Sequence, residues 1–158
     1  MMRIGLGYDV HAFADGRRLV LGGVEIAHER GLLGHSDADV LAHALADALL
    51  GALREGDIGQ HFPDTDPAFA GADSLALLAQ VGRLVTERGW RVADADCVLV
   101  LEQPKIAPYR DRMRASLADA LGVAVESVGV KATTTEGLGF AGRQEGVAAH
   151  AVVLIERL

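Results

Sequence analysis

The chain opens with an apolar stretch that reads Arg-Ile-Gly-Leu-Gly-Tyr-Asp-Val-His at residues 3–11. We predict a strand from Arg3 to Val10, because a short apolar run of this kind is typical of a buried strand. Side chains alternate between the two faces of a strand, so Asp9 and His11 project from the same face. The first predicted strand therefore presents a carboxylate and an imidazole side by side.

A helix is predicted next, and it begins in the sequence His-Ser-Asp-Ala-Asp-Val-Leu-Ala-His at residues 35–43. Ser36 is the predicted N-cap, with Asp39 three residues later in a capping-box arrangement. Apolar residues then recur at helical spacing to about Arg54, and Gly56 ends the helix. The histidine that closes the quoted sequence lies on the inner side of this helix.

Asp9, His11 and His43 together form a candidate metal site. Two imidazoles and one carboxylate match the ligand number of a catalytic zinc ion, which keeps a fourth position open for a substrate oxygen. A structural zinc usually has four protein ligands, mostly Cys, and this chain contains a single Cys. The alternative for each residue alone is a hydrogen-bonded core histidine or a surface pair.

Two aspartates lie four residues to either side of His43, on the same helix stripe. In one interpretation Asp39 or Asp47 accepts the free ring N–H of His43 and fixes the tautomer of that ligand. In the other, Asp39 caps the helix and Asp47 lies on a solvated rim. The sequence leaves both alternatives open.

The remaining elements predict an α+β fold, with a mixed β-sheet and helices packed on one face. They do not alternate as regularly as in a doubly wound fold. The last strand is nearly apolar throughout, so we expect it to be covered on both faces. The predicted elements are a hairpin at residues 18–26, a loop without helix or strand at 56–72, a helix capped by Asp73 or Ser74 that runs to about Arg88, a strand at 90–102 with an irregularity at 93–95, a helix that ends at 121–122, a strand at 128–131, a Gly-rich turn region at 133–145 and a strand at 146–157.

Length and composition predict a single domain over residues 1–158 and a cytoplasmic protein. The net charge of −7 and the lack of a basic stripe argue against nucleic acid as a partner. We expect no secretory leader and no membrane partner, because the first residues lack a charged segment followed by an apolar one and no apolar run approaches membrane length. Cys97 lies in an apolar run and is expected to be a small buried residue. A polyphosphate ligand on so acidic a chain needs divalent cations and backbone N–H groups.

A second group of candidate residues lies at 131–143, which reads Lys-Ala-Thr-Thr-Thr-Glu-Gly-Leu-Gly-Phe-Ala-Gly-Arg. Hydroxyls and backbone N–H groups freed by glycine suit a phosphate, and Glu136 suits Mg²⁺ or Mn²⁺ as an oxygen ligand. Alternatively, the three threonines reflect only strand propensity. Arg143 and Glu145 could likewise form an ion pair at an interface. Near the other candidate site, His35 precedes a helix N-terminus, where it can donate to a phosphate oxygen.

Two other functions fit the same residues. A zinc hydrolase would activate water on the three-ligand site, with Asp57 or Asp64 as the base. A trimeric binding protein would hold a structural metal there without any turnover. A linear phosphate product without a cyclic diphosphate would identify the zinc hydrolase. Loss of metal and fold in the His43→Ala variant, together with a parent protein that turns over no diphosphocytidyl compound, would identify the binding protein.

The motifs together resemble the 2-C-methyl-D-erythritol 2,4-cyclodiphosphate synthase family of the non-mevalonate isoprenoid pathway. The resemblance runs from about Arg3 to the C-terminus, and several separated motifs in the same order make it specific. They are Gly-Tyr-Asp-Val-His at 7–11, the quoted sequence at 35–43, Gly-Asp-Ile-Gly at 56–59 with Phe-Pro-Asp-Thr-Asp at 62–66, and Lys-Ala-Thr-Thr-Thr-Glu at 131–136.

This resemblance implies a metal-dependent lyase that forms a homotrimer with active sites between its subunits. The substrate is 4-diphosphocytidyl-2-C-methyl-D-erythritol 2-phosphate, whose 2-phosphate attacks the β-phosphorus and expels CMP to give the cyclic diphosphate. Zinc is held by the residues that match Asp9, His11 and His43. A second divalent ion, Mg²⁺ or Mn²⁺, is held by the residue that matches Glu136 and by the substrate.

The resemblance also implies which residues contact the substrate. His35 and Thr134 polarise the phosphates, the stretch from Leu101 to Ala107 with Thr133 forms the cytidine pocket, and a mobile loop holds the erythritol part. The implied substrate-binding residues are Ser36, Asp57, Ile58, Gly59, Phe62, Pro63, Asp64, Thr65, Asp66, Leu101, Glu102, Gln103, Pro104, Lys105, Ile106, Ala107, Thr133, Thr135, Phe140 and Arg143.

Overall fold

The computed structural model describes residues 1–158, and it confirms the predicted α+β fold with helices on one face of a mixed sheet. The strands are β1 (Met2–Ala14), β2 (Leu19–Leu21), β3 (Val24–Ile26), β4 (Gly31–Leu32), β5 (Trp90–Val100), β6 (Val128–Thr133) and β7 (Gly146–Arg157). The helices are α1 (Val40–Leu53), α2 (Ile58–His61), α3 (Ser74–Glu87), α4 (Arg110–Leu121) and α5 (Gly139–Gly142).

The main sheet has five strands in the order β4-β1-β7-β5-β6. Strand β7 pairs antiparallel with both β1 and β5, and β5 pairs in parallel with β6. Strands β2 and β3 form the predicted hairpin, which is separate from this sheet. Because β1 and β5 both run antiparallel to β7, the carboxyl ends of β1, β5 and β6 lie at the same end of the sheet.

Helix α1 packs directly on the backbone of β1 through small residues. A Cβ atom added at Gly5 would lie 1.8 Å from the Ala48 carbonyl oxygen. A Cβ atom added at Gly7 would lie 1.8 Å from the Ala44 carbonyl oxygen. Because no side chain fits into such a contact, glycine is required at both positions. The contact brings the first turn of α1 next to the part of β1 that carries Asp9.

The first turn of α1 is capped by Asp39 and not by Ser36. The Asp39 side chain accepts a hydrogen bond from Ala42 N at 3.1 Å, and the helix begins at Val40. The same carboxylate accepts from two backbone N–H groups of the β2–β3 turn, and its residue is fully buried. The predicted Ser36 cap is wrong because Ser36 lies before the helix, where its hydroxyl accepts from Ala38 N at 3.1 Å.

Short helices occur in two segments that were predicted to lack them. Residues 56–72 contain α2 and a 3₁₀ turn at Pro67–Phe69. Each is started by an aspartate, Asp57 or Asp66, whose side chain accepts from the first turn. These caps offset the unfavourable helix propensity of glycine and proline in the segment. The Gly-rich region at 133–145 likewise contains α5.

Other predictions of local structure are mostly confirmed. Helix α1 ends at Leu53, one residue before the predicted end at about Arg54, and the left-handed cap conformation is adopted by Arg54, with φ 64°, and not by the predicted Gly56. Strand β5 has its irregularity between Val92 and Asp94, as predicted. Cys97 is buried, and burial raises the pKa of its thiol to about 12, as expected of a structural residue.

The sheet face opposite the helices carries exposed apolar side chains. Leu6 on β1 is 71% exposed and Val152 on β7 is 48% exposed. The prediction that β7 is covered on both faces is therefore wrong within the chain, because the helices cover only one face. No helix in the structure combines the length and apolar content that crossing a membrane requires. We call the exposed apolar surface opposite the helices the outer sheet face. It comprises Met2, Ile4, Leu6, Tyr8, Val10 and Val152.

Candidate metal centre and active site

The three side chains of the candidate metal site come together at the junction of β1 and α1. Asp9 Oδ2 lies 2.9 Å from His11 Nε2 and 3.1 Å from His43 Nδ1. The two ring nitrogens are 3.3 Å apart. A tetrahedral zinc ion with ordinary bond lengths separates its ligand atoms by about 3.3–3.5 Å. The donor types and the size of this triangle therefore fit one zinc ion with an open fourth position.

The His11 ring is oriented by a backbone carbonyl. Its Nδ1 lies 2.8 Å from the carbonyl oxygen of Leu33, which directly follows β4. Because a carbonyl oxygen only accepts, Nδ1 carries a proton and donates it. The neutral ring therefore has its lone pair on Nε2, the nitrogen that faces Asp9. Pairing of β4 with the end of β1 thus prepares His11 as a metal ligand.

The second nitrogen of His43 contacts hydroxyl groups. His43 Nε2 lies 2.8 Å from Ser74 Oγ and 3.2 Å from Ser36 Oγ. Neither predicted acceptor contacts the ring, since Asp39 caps α1 and Asp47 accepts from the backbone N–H of α2 at 2.7 Å. Ser74 was considered only as a helix cap in the sequence, which holds no signal that this serine reaches a histidine 31 positions earlier.

The electrostatics of the triad favour an ionised Asp9. Burial by itself raises the pKa of the Asp9 carboxyl, but hydrogen bonds from His11 and His43 outweigh burial and lower that pKa to about 2. Burial lowers the pKa of His11, and the hydrogen bond and charge of Asp9 reverse this and raise it. The metal-free triad therefore combines a carboxylate with a histidine that holds its proton more tightly than usual.

A cavity of about 350 Å³ opens beside the triad. His35 lines it, and the Nε2–H of this residue donates to the Asp66 carbonyl oxygen at 3.0 Å. Asp57 caps α2 at the edge of the same segment, and Thr65 lies exposed between α2 and the 3₁₀ turn. Phe69 and Leu77 line the cavity without having been predicted. The predicted residues that line it are Asp9, His11, His35, Ser36, His43, Ile58, Gly59, Phe62, Pro63 and Asp64.

Another group of predicted residues follows the carboxyl ends of β5 and β6, in the segments 101–107 and 133–143. Glu102 organises it, because its carboxylate accepts from Thr135 N at 3.3 Å and from Gly137 N at 3.0 Å. Glu136 lies between these two residues with φ 55° and an exposed side chain. The members that do not line the triad cavity are Leu101, Glu102, Gln103, Pro104, Lys105, Ile106, Ala107, Thr133, Thr134, Thr135, Glu136, Phe140 and Arg143. We call this set the β5–β6 cluster.

Two members of the β5–β6 cluster have side chains that belong to the core. Leu101 is 3% exposed and Ile106 is 4% exposed, so only their backbone groups are available to a ligand. Thr134 Oγ1 accepts from Glu136 N at 3.3 Å and thereby supports the turn that presents the glutamate. Arg143 forms an ion pair with Glu145 of the same chain.

The triad and the β5–β6 cluster lie at the same end of the sheet without meeting. The register pairs Asp9 with Ala149 on β7, and Ala149 with Leu99 on β5. One whole strand therefore separates them, and at the usual strand spacing β1 and β5 are about 10 Å apart. Within one chain the predicted residues thus lie in two separate groups, which we call the half-sites.

Comparisons with known proteins identify relatives of this chain. The sequence model of the YgbB family matches residues 2–156. A 2-C-methyl-D-erythritol 2,4-cyclodiphosphate synthase of Thiobacillus denitrificans is 62% identical over 156 residues, which are 99% of this chain and 98% of the relative. The similarity therefore extends over both half-sites.

Solved structures share the fold. The bifunctional IspDF protein of Campylobacter jejuni superposes with a TM-score of 0.96 at 42% identity; the alignment covers 100% of this chain and 43% of that longer chain. A 2C-methyl-D-erythritol-2,4-cyclodiphosphate synthase in its CDP-bound form superposes with a TM-score of 0.89 at 42% identity, covering 98% of this chain and 100% of that chain.

Proposed function

Because this chain belongs to the YgbB family and is similar over its full length to 2-C-methyl-D-erythritol 2,4-cyclodiphosphate synthases, we propose that it catalyses the cyclisation that gives those relatives their name. It is a lyase of isoprenoid precursor biosynthesis. It converts 4-diphosphocytidyl-2-C-methyl-D-erythritol 2-phosphate to 2-C-methyl-D-erythritol 2,4-cyclodiphosphate and CMP. The observation that carries this proposal is 62% identity to such an enzyme, combined with the Asp9, His11 and His43 triangle.

In the proposed reaction an oxygen of the 2-phosphate forms a bond to the β-phosphorus, and the bond from that phosphorus to the CMP oxygen breaks. The nucleophile is already an anion, so no side chain has to remove a proton from it. Repulsion between the phosphates is the main obstacle, and fixed positive charge and hydrogen-bond donors reduce it. A cavity lined by His35, without an activated Ser or Cys, suits this chemistry.

The two half-sites supply different parts of that chemistry in our proposal. Asp9, His11 and His43 hold Zn²⁺, and Glu136 holds a second divalent cation, Mg²⁺ or Mn²⁺, together with the substrate diphosphate. These ions neutralise the phosphate charges and align the reacting groups. Thr134 donates to a phosphate oxygen from the second half-site. The remaining predicted contacts in the cavity and in the β5–β6 cluster bind the erythritol and cytidine parts of the substrate.

We further propose that the chain forms a homotrimer in which the β5–β6 cluster of one copy completes the triad cavity of the next. The separation of the half-sites within the chain supports this arrangement. So does the outer sheet face, since contiguous apolar surface of this kind marks a protein interface. A CDP-bound relative supports the cytidine diphosphate-linked substrate. Residues 1–158 act as one domain in this proposal, and a cytoplasmic location stays a prediction.

The reaction product tests the proposed function. Zinc-loaded protein is incubated with Mg²⁺ and the diphosphocytidyl substrate, and the phosphorus products are identified by ³¹P NMR. We expect a cyclic diphosphate and one equivalent of CMP. Linear phosphates without a cyclic product would instead identify a zinc hydrolase. No turnover by a metal-loaded, folded protein would favour a binding protein.

A further inference from the structure

A hydroxyl and a carboxylate lie in series behind the metal triad. Ser74 Oγ is 2.8 Å from His43 Nε2, and the Ser74 hydroxyl in turn donates to Asp37 Oδ1. Asp37 also accepts from Ser74 N at 3.1 Å and from Asp39 N at 3.1 Å, so its carboxylate is held from three directions. Ser74 is 1% exposed, which keeps water away from this contact.

The direction of these hydrogen bonds follows from the carboxylate. A carboxylate only accepts, so the single hydroxyl proton of Ser74 points to Asp37. The Ser74 oxygen can then only accept from the ring, so His43 Nε2 carries a proton. A histidine that binds a metal is neutral and holds a single ring proton, so its lone pair is then on Nδ1, the nitrogen that faces Asp9.

We propose that Asp37 and Ser74 are positioning residues that fix the Nε2–H tautomer of His43 and so prepare Nδ1 as a metal ligand. This inference deepens the metal site and rests on the proposed function. The two histidines are then oriented by different means. His11 donates to a carbonyl, which needs no further support, whereas the hydroxyl beside His43 can donate or accept until a carboxylate sets its direction.

Ser36 provides the natural comparison, because it lies beside the same nitrogen without a carboxylate. Its Oγ is 3.2 Å from His43 Nε2, and it accepts from Ala38 N at 3.1 Å. The Ser36 hydroxyl proton can point either to the ring or to Ser74 Oγ, 3.4 Å away. Ser36 therefore contacts His43 without selecting its tautomer, and Ser36→Ala is a matched control.

Zinc affinity of the purified protein tests the proposal without reference to turnover. We would measure it by chelator competition for wild type, Ser74→Ala, Asp37→Asn, the double variant and Ser36→Ala. Loss of a residue that orients a metal-bound histidine typically weakens binding by about 10–100-fold. We expect losses in that range for Ser74→Ala and for Asp37→Asn, and at most about threefold for Ser36→Ala.

The double variant shows whether Asp37 affects zinc binding through Ser74 or independently of it. If Asp37 acts through Ser74, Asp37→Asn weakens zinc binding in the wild type but hardly at all in the Ser74→Ala background. Additive losses would show that Asp37 acts independently, and they would overturn the proposal. Equal affinities for wild type and both single variants would overturn it as well.

A spectroscopic measurement on the wild type guards against variants that fail to fold. In zinc-loaded protein labelled with ¹⁵N, we expect the His43 ring proton on Nε2, protected from exchange with water. A proton on Nδ1, or one that exchanges freely, contradicts the proposal. If the wild type binds no zinc at all, the proposed metal site itself fails. If instead the wild type binds zinc and the variants bind it equally well, the metal site stands and only the positioning role of Asp37 and Ser74 fails.

Discussion

At the scale of single residues, one oxygen of Asp9 contacts both histidines of the triad. In the metal-free protein, this contact lowers the pKa of Asp9 to about 2 and raises the pKa of His11. The His11 ring already donates through Nδ1 to Leu33, so the extra proton held by the raised pKa is on Nε2, beside Asp9. A metal ion must displace that proton to bind.

Zinc affinity should therefore depend on pH through His11. Below its folded-state pKa, which lies above the usual 6.5, His11 is protonated and cannot bind a metal. Affinity should then fall by about tenfold for each further unit of pH. Above that pKa the proton is absent and the dependence flattens. Chelator competition between pH 5.5 and 9 measures this dependence. A constant affinity over this range would contradict the assignment.

Replacement of Glu136 by Gln should separate the two metals. Glu136 is exposed and outside the core, so the free energy of unfolding should change by less than about 0.5 kcal/mol. Zinc binding should also be unchanged, because the triad does not include this residue. Turnover should fall by roughly 10²–10³-fold, since the second cation loses its carboxylate ligand. Glu126→Gln is the control on a distant surface, and unchanged turnover of Glu136→Gln at limiting Mg²⁺ would remove Glu136 from this role.

At the scale of elements, the distance between α1 and β1 determines whether the triad exists. Gly7→Ala would force a methyl group to within 1.8 Å of the Ala44 carbonyl oxygen. We expect the helix to move, with a loss of about 1–3 kcal/mol in the free energy of unfolding and a weaker zinc site. Thermal unfolding and chelator competition measure the two effects.

The control for this prediction is Gly51, which lies on helix α1. A Cβ added at Gly51 meets only the Leu6 carbonyl oxygen, at 3.8 Å. Gly51→Ala should stabilise the protein by about 0.5–1 kcal/mol, because alanine has the higher helix propensity, and zinc binding should not change. Equal behaviour of the two variants would show that close packing of α1 on β1 does not position the triad.

Regular elements explain why the triad was predictable from the sequence. Strand period places Asp9 and His11 on one face, and helix period places His43 on the inner side of α1. Short helices such as α2 were missed because an aspartate cap, rather than an apolar period, creates them. Ser74 was missed because its contact with His43 depends on how α3 packs beside α1. Contacts between distant elements of this kind depend on tertiary packing, so a local sequence pattern does not predict them.

At the scale of the whole molecule, the outer sheet face and the separation of the two half-sites are the reasons for the proposed trimer. The outer sheet face exposes Leu6, at 71%, with its neighbours on β1. We expect Leu6→Glu to leave a folded chain that binds one zinc ion, because the triad lies on the opposite face of β1. Light scattering should show a monomer in place of a trimer, and turnover should be lost. Val125→Glu, which adds the same charge at a residue 36% exposed and away from that face, should change neither mass nor turnover.

Mixing two inactive variants and measuring turnover tests whether the two half-sites of an active site come from different chains. His43→Ala loses the triad and Glu136→Gln loses the β5–β6 cluster, so each should be inactive alone. If active sites form between copies, a mixed trimer contains interfaces with an intact triad from one chain and an intact cluster from the other. Random mixing in equal amounts should restore about one quarter of wild-type turnover. A mixture of His43→Ala with Asp9→Asn should stay inactive, because both defects lie in the same half-site. If the first mixture also stays inactive although mixed trimers form, each chain uses its own two half-sites, although these follow strands that are about 10 Å apart.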